Sequence, residues 1–125
     1  ASLHHLPGEA RRLALLDQIG RMLKSGGWFI HSEWQFQNSP RLMARVLDWS
    51  AVGLSEADVD SGDYLLDWRY ALPGQAEQVG LRYVHLYERN ELASLAARSG
   101  FVIVDEFESD GKEGNLALYQ VWKKD

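Results

Sequence analysis

The first 34 residues constrain the fold of this chain more than any other segment. Their pattern predicts the end of a strand at Ala1–Leu3, a polar elbow at His4–Gly8, a helix from about Gly8 to Lys24 and a strand at Trp28–Trp34. Leucine and isoleucine recur along the helix at spacings of three and four, which is typical of one buried side. The Gly26-Gly27 pair favours a helix C-cap, because glycine adopts positive φ without strain. This order is typical of an α/β sheet, and we expect a piece of a larger domain, since the chain enters at a strand end.

The strand predicted at Trp28–Trp34 has two informative features. Its first three residues are all apolar, which favours burial on both faces, as in a parallel sheet. His31 and Glu33 lie two apart and therefore share a face. We expect these two side chains to form hydrogen bonds at the upper edge of the sheet. A metal site that joins them to His4 or His5 is the less favoured alternative, and no metal is predicted.

The middle of the chain is predicted to be a helix followed by an insertion. Ser39-Pro40 is typical of a helix start, and apolar residues continue to Trp49. The segment Asp58–Gly80 is acidic, aromatic and turn-rich, so residues of about 54–82 are predicted to be an insertion across the top of the sheet. Arg82–Tyr87 is predicted to be a short extended stretch.

The last third predicts one helix and two strands. The helix follows Glu88–Glu91 and ends at Ser99-Gly100, and its inward-facing residues are expected to be Leu92, Leu95 and Ala96. Phe101–Phe107 and Leu116–Trp122 flank a loop with two glycines, which favours an antiparallel hairpin. The alternation of a strand places Val102 and Val104 on one face, and on the other Phe101, Ile103 and Phe107.

Composition excludes several classes of protein. Hydrophobic residues make up 46% of the chain, which suits a folded core. No run approaches the roughly 20 apolar residues of a membrane span, so no membrane association is predicted. The absence of cysteine excludes disulfides and thiolate chemistry. The formal charge of −5 disfavours a general nucleic-acid binder. We expect a soluble cytoplasmic protein.

Two strings of residues carry a resemblance to a known family. The first is Leu3-His4-His5-Leu6, followed by Leu23-Lys24-Ser25-Gly26-Gly27 before the next strand. It resembles the methyltransferase type 11 families among the class I S-adenosylmethionine (SAM)-dependent methyltransferases. The resemblance implies an α/β fold, the C-terminal half of a Rossmann-like mixed sheet of order 3-2-1-4-5-7-6 with an antiparallel last strand. Strands 5, 6 and 7 would be Trp28–Trp34, Phe101–Phe107 and Leu116–Trp122, and residues 1–125 would be a partial domain from the tip of strand 4 to strand 7.

The second string is Gly62–Trp68, then Arg82–Glu88, then Glu91-Leu92. It resembles a pattern of the tRNA wobble-uridine carboxymethyl methyltransferases and their relatives, although Asp67 stands where that family usually has proline. The resemblance implies a tRNA or a small-molecule carboxylate as the methyl acceptor. The substrate-binding residues that it implies are Trp68, Arg69, Arg82, Tyr83 and His85. Alternatively, Trp68 and Tyr83 only anchor the insertion to the core.

The resemblance also implies SAM as the cofactor and a site at the carboxyl ends of the strands. Ser2, Leu3 and His4 would flank the methionine part of SAM, and His5 and Glu33 would be the catalytic residues on the substrate side. The chain contains no G-x-G-x-x-G loop. We therefore expect the full-length parent to be the methyltransferase, and this chain alone to bind SAM weakly and to be inactive.

The alternative function is a non-enzymatic binding or assembly module built on the half-fold, which the missing cofactor loop favours. With either function, the apolar edge of the strand Trp28–Trp34 is expected to pair with another chain. We expect a homodimer that covers this edge.

Overall fold

The computed structural model describes residues 2–125, and Ala1 lies outside the described residues. The strands are β1 (Trp28–Trp34), β2 (Val46–Leu47), β3 (Asp63–Tyr70), β4 (Gln78–His85), β5 (Phe101–Ser109) and β6 (Ala117–Lys124). The α-helices are α1 (Glu9–Met22), α2 (Pro40–Met43) and α3 (Arg89–Arg98). None of the helices in the described part of the chain is long and apolar enough to cross a membrane.

The first sheet has the strand order β1-β6-β5, and both pairs are antiparallel. This is the order 5-7-6 that the resemblance implies, with strand 7 antiparallel to its neighbours. The predicted bounds of β1 are exact, whereas β5 continues to Ser109 and β6 covers Ala117–Lys124. The α/β fold class and the antiparallel final hairpin are thus confirmed.

Helices α1 and α3 supply the apolar layer beneath one face of this sheet, here called the inner face. Leu16 of α1 and Leu92 and Leu95 of α3 are buried in one cluster with Leu118 and Trp122 of β6. Each such leucine contributes roughly 2 kcal/mol of hydrophobic stabilisation. The three residues predicted to face inward from α3 are all buried, which confirms that prediction.

A β-bulge corrects the predicted faces of β5. The register with β6 shifts between Ile103 and Asp105, so that Ile103 opposes the buried Trp122 while Phe107 opposes Tyr119. A bulge adds one residue and reverses the alternation of side chains beyond it. Phe107 therefore does not share a face with Ile103 as predicted, and its ring stacks on Tyr119 at a centroid distance of 5.0 Å.

The prediction that β1 is buried on both faces is wrong. Phe29, His31 and Glu33 point to the inner face, but Trp28 is 56% exposed and Ile30 is 64% exposed on the opposite, outer face. β1 also pairs only with β6 among the described residues, antiparallel, so its other edge is open. A run of apolar residues cannot distinguish a covered face from an exposed one, because it carries no alternation.

Residues 46–85 form the second sheet, of order β2-β3-β4, and the predicted helix does not continue to Trp49. The segment of about 54–82 that was predicted to be an insertion contains most of the β3–β4 hairpin. Ser39 caps α2 and Pro40 begins it as predicted, but the helix ends at Met43. Val46 pairs with Leu66 of β3, and this pairing replaces further helical turns. Packing against a neighbouring strand overrides local propensity here. The buried residues under this sheet are Phe36, Leu66 and Val84.

The start of the chain is not a strand end in the described residues. Leu3–His5 is a turn of 3-10 helix, closed by a hydrogen bond from Leu6 N–H to Leu3 O at 3.1 Å. The backbone of this turn is satisfied locally, since His5 N–H also donates to Ser2 O at 3.1 Å. Helix α1 ends at Met22, and Gly26, with φ of 75°, lies in the following turn and not at the helix C-cap.

Candidate active site

A cleft of about 340 Å³ opens where the end of β1 meets the second sheet. Its walls come from four parts of the chain: the 3-10 turn after Ser2, β1, β4 and the β5–β6 connection with the start of β6. The lining residues are His4, His5, Ser32, Trp34, Arg82, Asp110, Leu116, Ala117 and Tyr119. The cleft thus brings together three residues that were predicted to bind cofactor or substrate, namely His4, His5 and Arg82.

Glu33 lies directly behind the cleft and joins two histidines. Its carboxylate accepts a hydrogen bond from Nδ1 of His4 at 2.9 Å and from Nδ1 of His31 at 2.8 Å. Burial raises the pKa of Glu33, whereas the hydrogen bonds from His31 and His4 lower it. The lowering effects together are larger, so the pKa of Glu33 lies below its usual value. Glu33 is therefore an ionised acceptor, which fixes Nδ1–H on both rings and leaves Nε2 as their second nitrogen.

The predicted hydrogen bond between His31 and Glu33 is confirmed. The Glu33 side chain, which was predicted to be catalytic on the substrate side, is only 1% exposed. His31 is also buried, and its Nε2 has no hydrogen-bond partner. In residues 2–125 no group of three or more His, Asp or Glu side chains is arranged to hold a metal ion.

His5 occupies the mouth of the cleft. Its Nδ1–H donates to the backbone oxygen of Tyr83 at 3.0 Å, and its ring lies 4.4 Å from that of His4, edge to face. Partial burial lowers the pKa of His5 below 6.5, and the hydrogen bond to Tyr83 opposes this shift only in part. At neutral pH the ring is uncharged, and Nε2 is left as a proton acceptor.

Arg82 forms the side of the cleft opposite β1. Its guanidinium carbon lies 4.5 Å above the centre of the Trp34 ring, a cation–π contact. Trp34 was predicted to be a core or interface residue, and the structure places it in the cleft wall as well. Sequence spacing gave no sign of this contact, because the two residues lie on different sheets.

Tyr83 and His85 belong to a buried polar network rather than to the cleft lining. Tyr83 Oη donates to Asp63 at 2.5 Å and accepts from Arg12 at 2.7 Å. The two ring nitrogens of His85 lie 2.6 Å from Asp63 and 2.8 Å from Glu91. This network joins the second sheet to α1 and α3, so the side chains anchor the two layers together.

Arg12 and Asp63 were missed by the sequence analysis. A signal was present for Arg12, which lies four residues before the buried Leu16, on the apolar side of α1. A charged residue on an apolar stripe is rarely buried without a partner. Its guanidinium is buried against Asp63 at 3.6 Å and against Glu91 at 3.6 Å.

The remaining predicted residues lie away from the cleft lining. Trp68 and Tyr70 stack on each other near the tip of the β3–β4 hairpin, with ring centres 4.7 Å apart. Arg69 is paired with Asp67 at 3.0 Å. Ser2 is exposed, and Leu3 is buried in the core, so its side chain cannot reach a ligand.

Comparison with known proteins finds a relative that carries a methyltransferase name. The chain is 32% identical over 106 residues to a protein of Encephalitozoon cuniculi (strain GB-M1) named "Putative methyltransferase", a match that covers 84% of this chain and 43% of that protein. It matches none of the protein-family models.

Solved structures of methyltransferases resemble this chain in fold. A SAM-dependent methyltransferase from Clostridium acetobutylicum ATCC 824 matches 98% of this chain and 55% of that chain, with a TM-score of 0.64 and 10% identity. The CcbJ methyltransferase from Streptomyces caelestis matches 98% and 57%, with a TM-score of 0.61 and 15% identity. The chain spans about half the length of the proteins that it matches. Over that span, the chain has the α/β fold of SAM-dependent methyltransferases.

Proposed function

We propose that this chain is the C-terminal part of a SAM-dependent methyltransferase. Residues 1–125 would be a partial domain with an insertion at about 54–82, which contains most of the β3–β4 hairpin. The observation that carries the proposal is the strand order β1-β6-β5 with β6 antiparallel, which matches the order 5-7-6 of the class I fold. The cleft lies at the carboxyl end of β1, where ligands bind in open α/β sheets.

We propose that the described residues hold one side of SAM only. Ser2 has an exposed hydroxyl group, and His4 has a second ring nitrogen, Nε2, that does not bind Glu33. We propose that these two residues, together with the backbone of Leu3, flank the methionine part of SAM. SAM, when bound, would supply an activated methyl group for transfer to the acceptor. The chain holds no G-x-G-x-x-G loop, so we propose that SAM binding and activity require the full-length parent.

His5 is the proposed catalytic residue. Its uncharged ring, oriented by the hydrogen bond to Tyr83 O, presents Nε2 to accept a proton from an amine or hydroxyl acceptor. A carboxylate acceptor is already ionised at neutral pH and needs no base; with such an acceptor His5 only positions it. Glu33 is proposed as a positioning residue, since it contacts His4 and is buried behind it.

The proposed acceptor is a tRNA or a small-molecule carboxylate. Arg82 in the cleft wall and the stacked Trp68, with the neighbouring Arg69, are the proposed substrate contacts, and Tyr83 and His85 support them from the buried network. Arginine planes and aromatic rings bind unpaired bases by stacking. The tRNA acceptor is supported by the second sequence string alone.

The test uses the protein encoded by the complete reading frame. Calorimetric titration with SAM, followed by transfer of a labelled methyl group to total tRNA or to a panel of carboxylic acids, is expected to show binding and label transfer. Binding of SAM without labelling of either acceptor class would contradict the acceptor proposal. Absence of SAM binding by the complete protein would contradict the methyltransferase proposal.

A non-enzymatic assembly module is the second candidate, and the open edge of β1 favours it. The opposite edge strand, β5, carries Asp105, Glu106 and Glu108, which discourage pairing with another chain, whereas the outer edge strand β1 begins with Trp28-Phe29-Ile30. We propose a homodimer that covers the β1 edge. Dimerisation of this chain, together with no heat when the complete protein is titrated with SAM, would favour the module.

A further inference from the structure

We propose that Arg12 of α1 is a positioning residue for His5, because it holds both the backbone that carries the His5 ring and the residue whose oxygen the ring binds. The proposal rests on the proposed function only where it treats His5 as a base. The contacts themselves lie within the chain and are testable without SAM.

The first contact of Arg12 is with the turn that carries His5. Its Nε–H donates to the backbone oxygen of Leu6, the residue that follows His5, at 3.0 Å. Arg12 is only 2% exposed, so the guanidinium reaches this oxygen from the interior of the chain and not from its surface. The position of the peptide group after His5 is therefore set by a buried side chain.

The second contact is with the residue that accepts the hydrogen bond of His5. Arg12 Nη2 donates to Tyr83 Oη at 2.7 Å, and Tyr83 Oη donates to Asp63 at 2.5 Å. Burial, and then the hydrogen bond to Asp63, raise the pKa of Tyr83, so the phenol keeps the proton that it donates. The backbone oxygen of Tyr83 accepts from His5 Nδ1–H at 3.0 Å. One guanidinium thus holds both partners of the His5 hydrogen bond.

Tyr87 holds the other end of the same turn. Its Oη donates to Leu3 O at 3.3 Å, and its buried ring lies beside Arg12, with the guanidinium carbon 5.4 Å from the ring centre. The two histidines of the turn therefore lie between two backbone oxygens, those of Leu3 and Leu6, which accept from core side chains that contact each other.

The shape of the guanidinium explains why an arginine suits this position. Its N–H donors lie in one plane and point in fixed, different directions, so Nε and Nη2 serve acceptors on two segments at once. Asp63 and Glu91, each 3.6 Å from the guanidinium, balance its charge, as a buried ion requires. Lysine would keep the charge on a single nitrogen but lose the fork that reaches both acceptors.

The expected consequence concerns the His5 ring. While Nδ1–H is bonded to Tyr83 O, the lone pair of Nε2 is left to accept a proton. Burial lowers the pKa of His5, and the hydrogen bond to Tyr83 O opposes this in part. Without Arg12 the ring is therefore expected to populate both tautomers and its pKa to fall further.

The experiment records long-range ¹H–¹⁵N correlations of the histidine rings in the complete protein. The variants are Arg12→Lys and, as a matched control, Arg11→Lys at the exposed neighbouring position of α1. Wild type and the control are expected to show His5 protonated at Nδ1 alone. In Arg12→Lys, the two nitrogen shifts of His5 are expected to move towards each other and its titration to move to lower pH, while the His31 signals stay unchanged.

Tyr83→Phe keeps the proposal testable if Arg12→Lys does not fold, because it removes the hydroxyl group and retains the backbone oxygen. It is expected to change the His5 signals in the same direction but less, since the contact of Arg12 with Leu6 O remains. Unchanged His5 signals in folded Arg12→Lys, or in Tyr83→Phe if only that variant folds, would overturn the proposal. Equal changes at His5 and His31 would also overturn it, since they would show a general loosening.

Methyl transfer by the complete enzyme separates this proposal from the proposed function. If His5 is the base, Arg12→Lys is expected to lower kcat/KM by roughly 10- to 100-fold through misplacement of the ring, with the acidic limb moved to lower pH and the KM for SAM little changed. Altered His5 signals with unaltered kcat/KM would support the positioning of the ring by Arg12 and contradict only the role of His5 as a base.

Discussion

The carboxylate of Glu33 lies 2.9 Å from Nδ1 of His4, and both side chains are buried. A carboxylate in this position sets the tautomer of the ring, so the state of Glu33 determines which nitrogen of His4 is available. The same carboxylate also accepts a hydrogen bond from Nδ1 of His31 at 2.8 Å, so one anion has two hydrogen-bond donors.

The first prediction concerns stability against pH. The pKa of Glu33 is lower in the folded chain than the usual value of 4.5, so the unfolded state takes up this proton first as the pH falls. Its stabilising contribution is complete above about pH 4.5 and is lost as the pH falls through the folded pKa. At pH 7, Glu33→Gln is expected to lower the free energy of unfolding by about 3 kcal/mol, since two charge-assisted hydrogen bonds are weakened.

Urea unfolding from pH 7 to 3.5 measures this difference. The gap between wild type and Glu33→Gln is expected to narrow below pH 4.5, while the control Glu113→Gln, in the exposed β5–β6 connection, stays close to wild type throughout. A gap that is constant over the whole range would show that Glu33 is not held ionised by the two histidines.

The second prediction concerns His5 in the complete enzyme. Its pKa lies below 6.5 because of partial burial, so the base form persists to lower pH than for a free histidine. We expect the acidic limb of kcat/KM to have its midpoint below pH 6.5 and His5→Ala to lower kcat/KM by roughly 100-fold or more, with loss of that limb. Arg21→Gln serves as the control. An unchanged pH profile in His5→Ala would exclude the role as a base.

The third prediction concerns Gly62, which precedes Asp63 of the buried network. Its φ is 89°, and a Cβ there would lie 3.0 Å from Leu86 O and 3.1 Å from the His85 ring. Gly62→Ala is expected to cost about 2–4 kcal/mol, because backbone strain adds to a clash. Gly114→Ala has a similar φ of 72° and open space around it, so it is expected to cost only about 1 kcal/mol. Thermal or urea unfolding compares the two, and equal losses would contradict the role of the His85 contact.

The fourth prediction concerns the open edge of β1. If two copies associate there, Ile30→Lys introduces a charge into the interface and is expected to convert the dimer to a monomer. Val104→Lys, on the outer face of the opposite edge strand, is expected to leave the dimer intact. Light scattering after size-exclusion chromatography measures both masses. A wild-type chain that is monomeric at high micromolar concentration would exclude this association.

Local patterns in the sequence determined α1, α3 and the final hairpin. The spacing of Leu92 and Leu95 identified the buried side of α3, and the bounds of β1 followed from the glycine pair before it and from its apolar residues. These features depend on neighbours within a few positions of the chain, where periodicity and turn residues report directly on structure. The resemblance of two short strings added the sheet order, which periodicity alone does not contain.

Contacts between distant residues were decided only by the tertiary structure. The hydrogen bond of Glu33 with His4, the stacking of Arg82 on Trp34 and the burial of His85 between Asp63 and Glu91 join residues that are separated by up to 48 positions in the chain, and no local pattern specifies them. The bulge after Ile103 and the pairing of Val46 with Leu66 likewise follow from packing between strands, whose free energy outweighs the propensity of a short segment. The sequence thus determined α1, α3 and the strands of the first sheet, whereas the tertiary structure decided the second sheet and which side chains form the cleft.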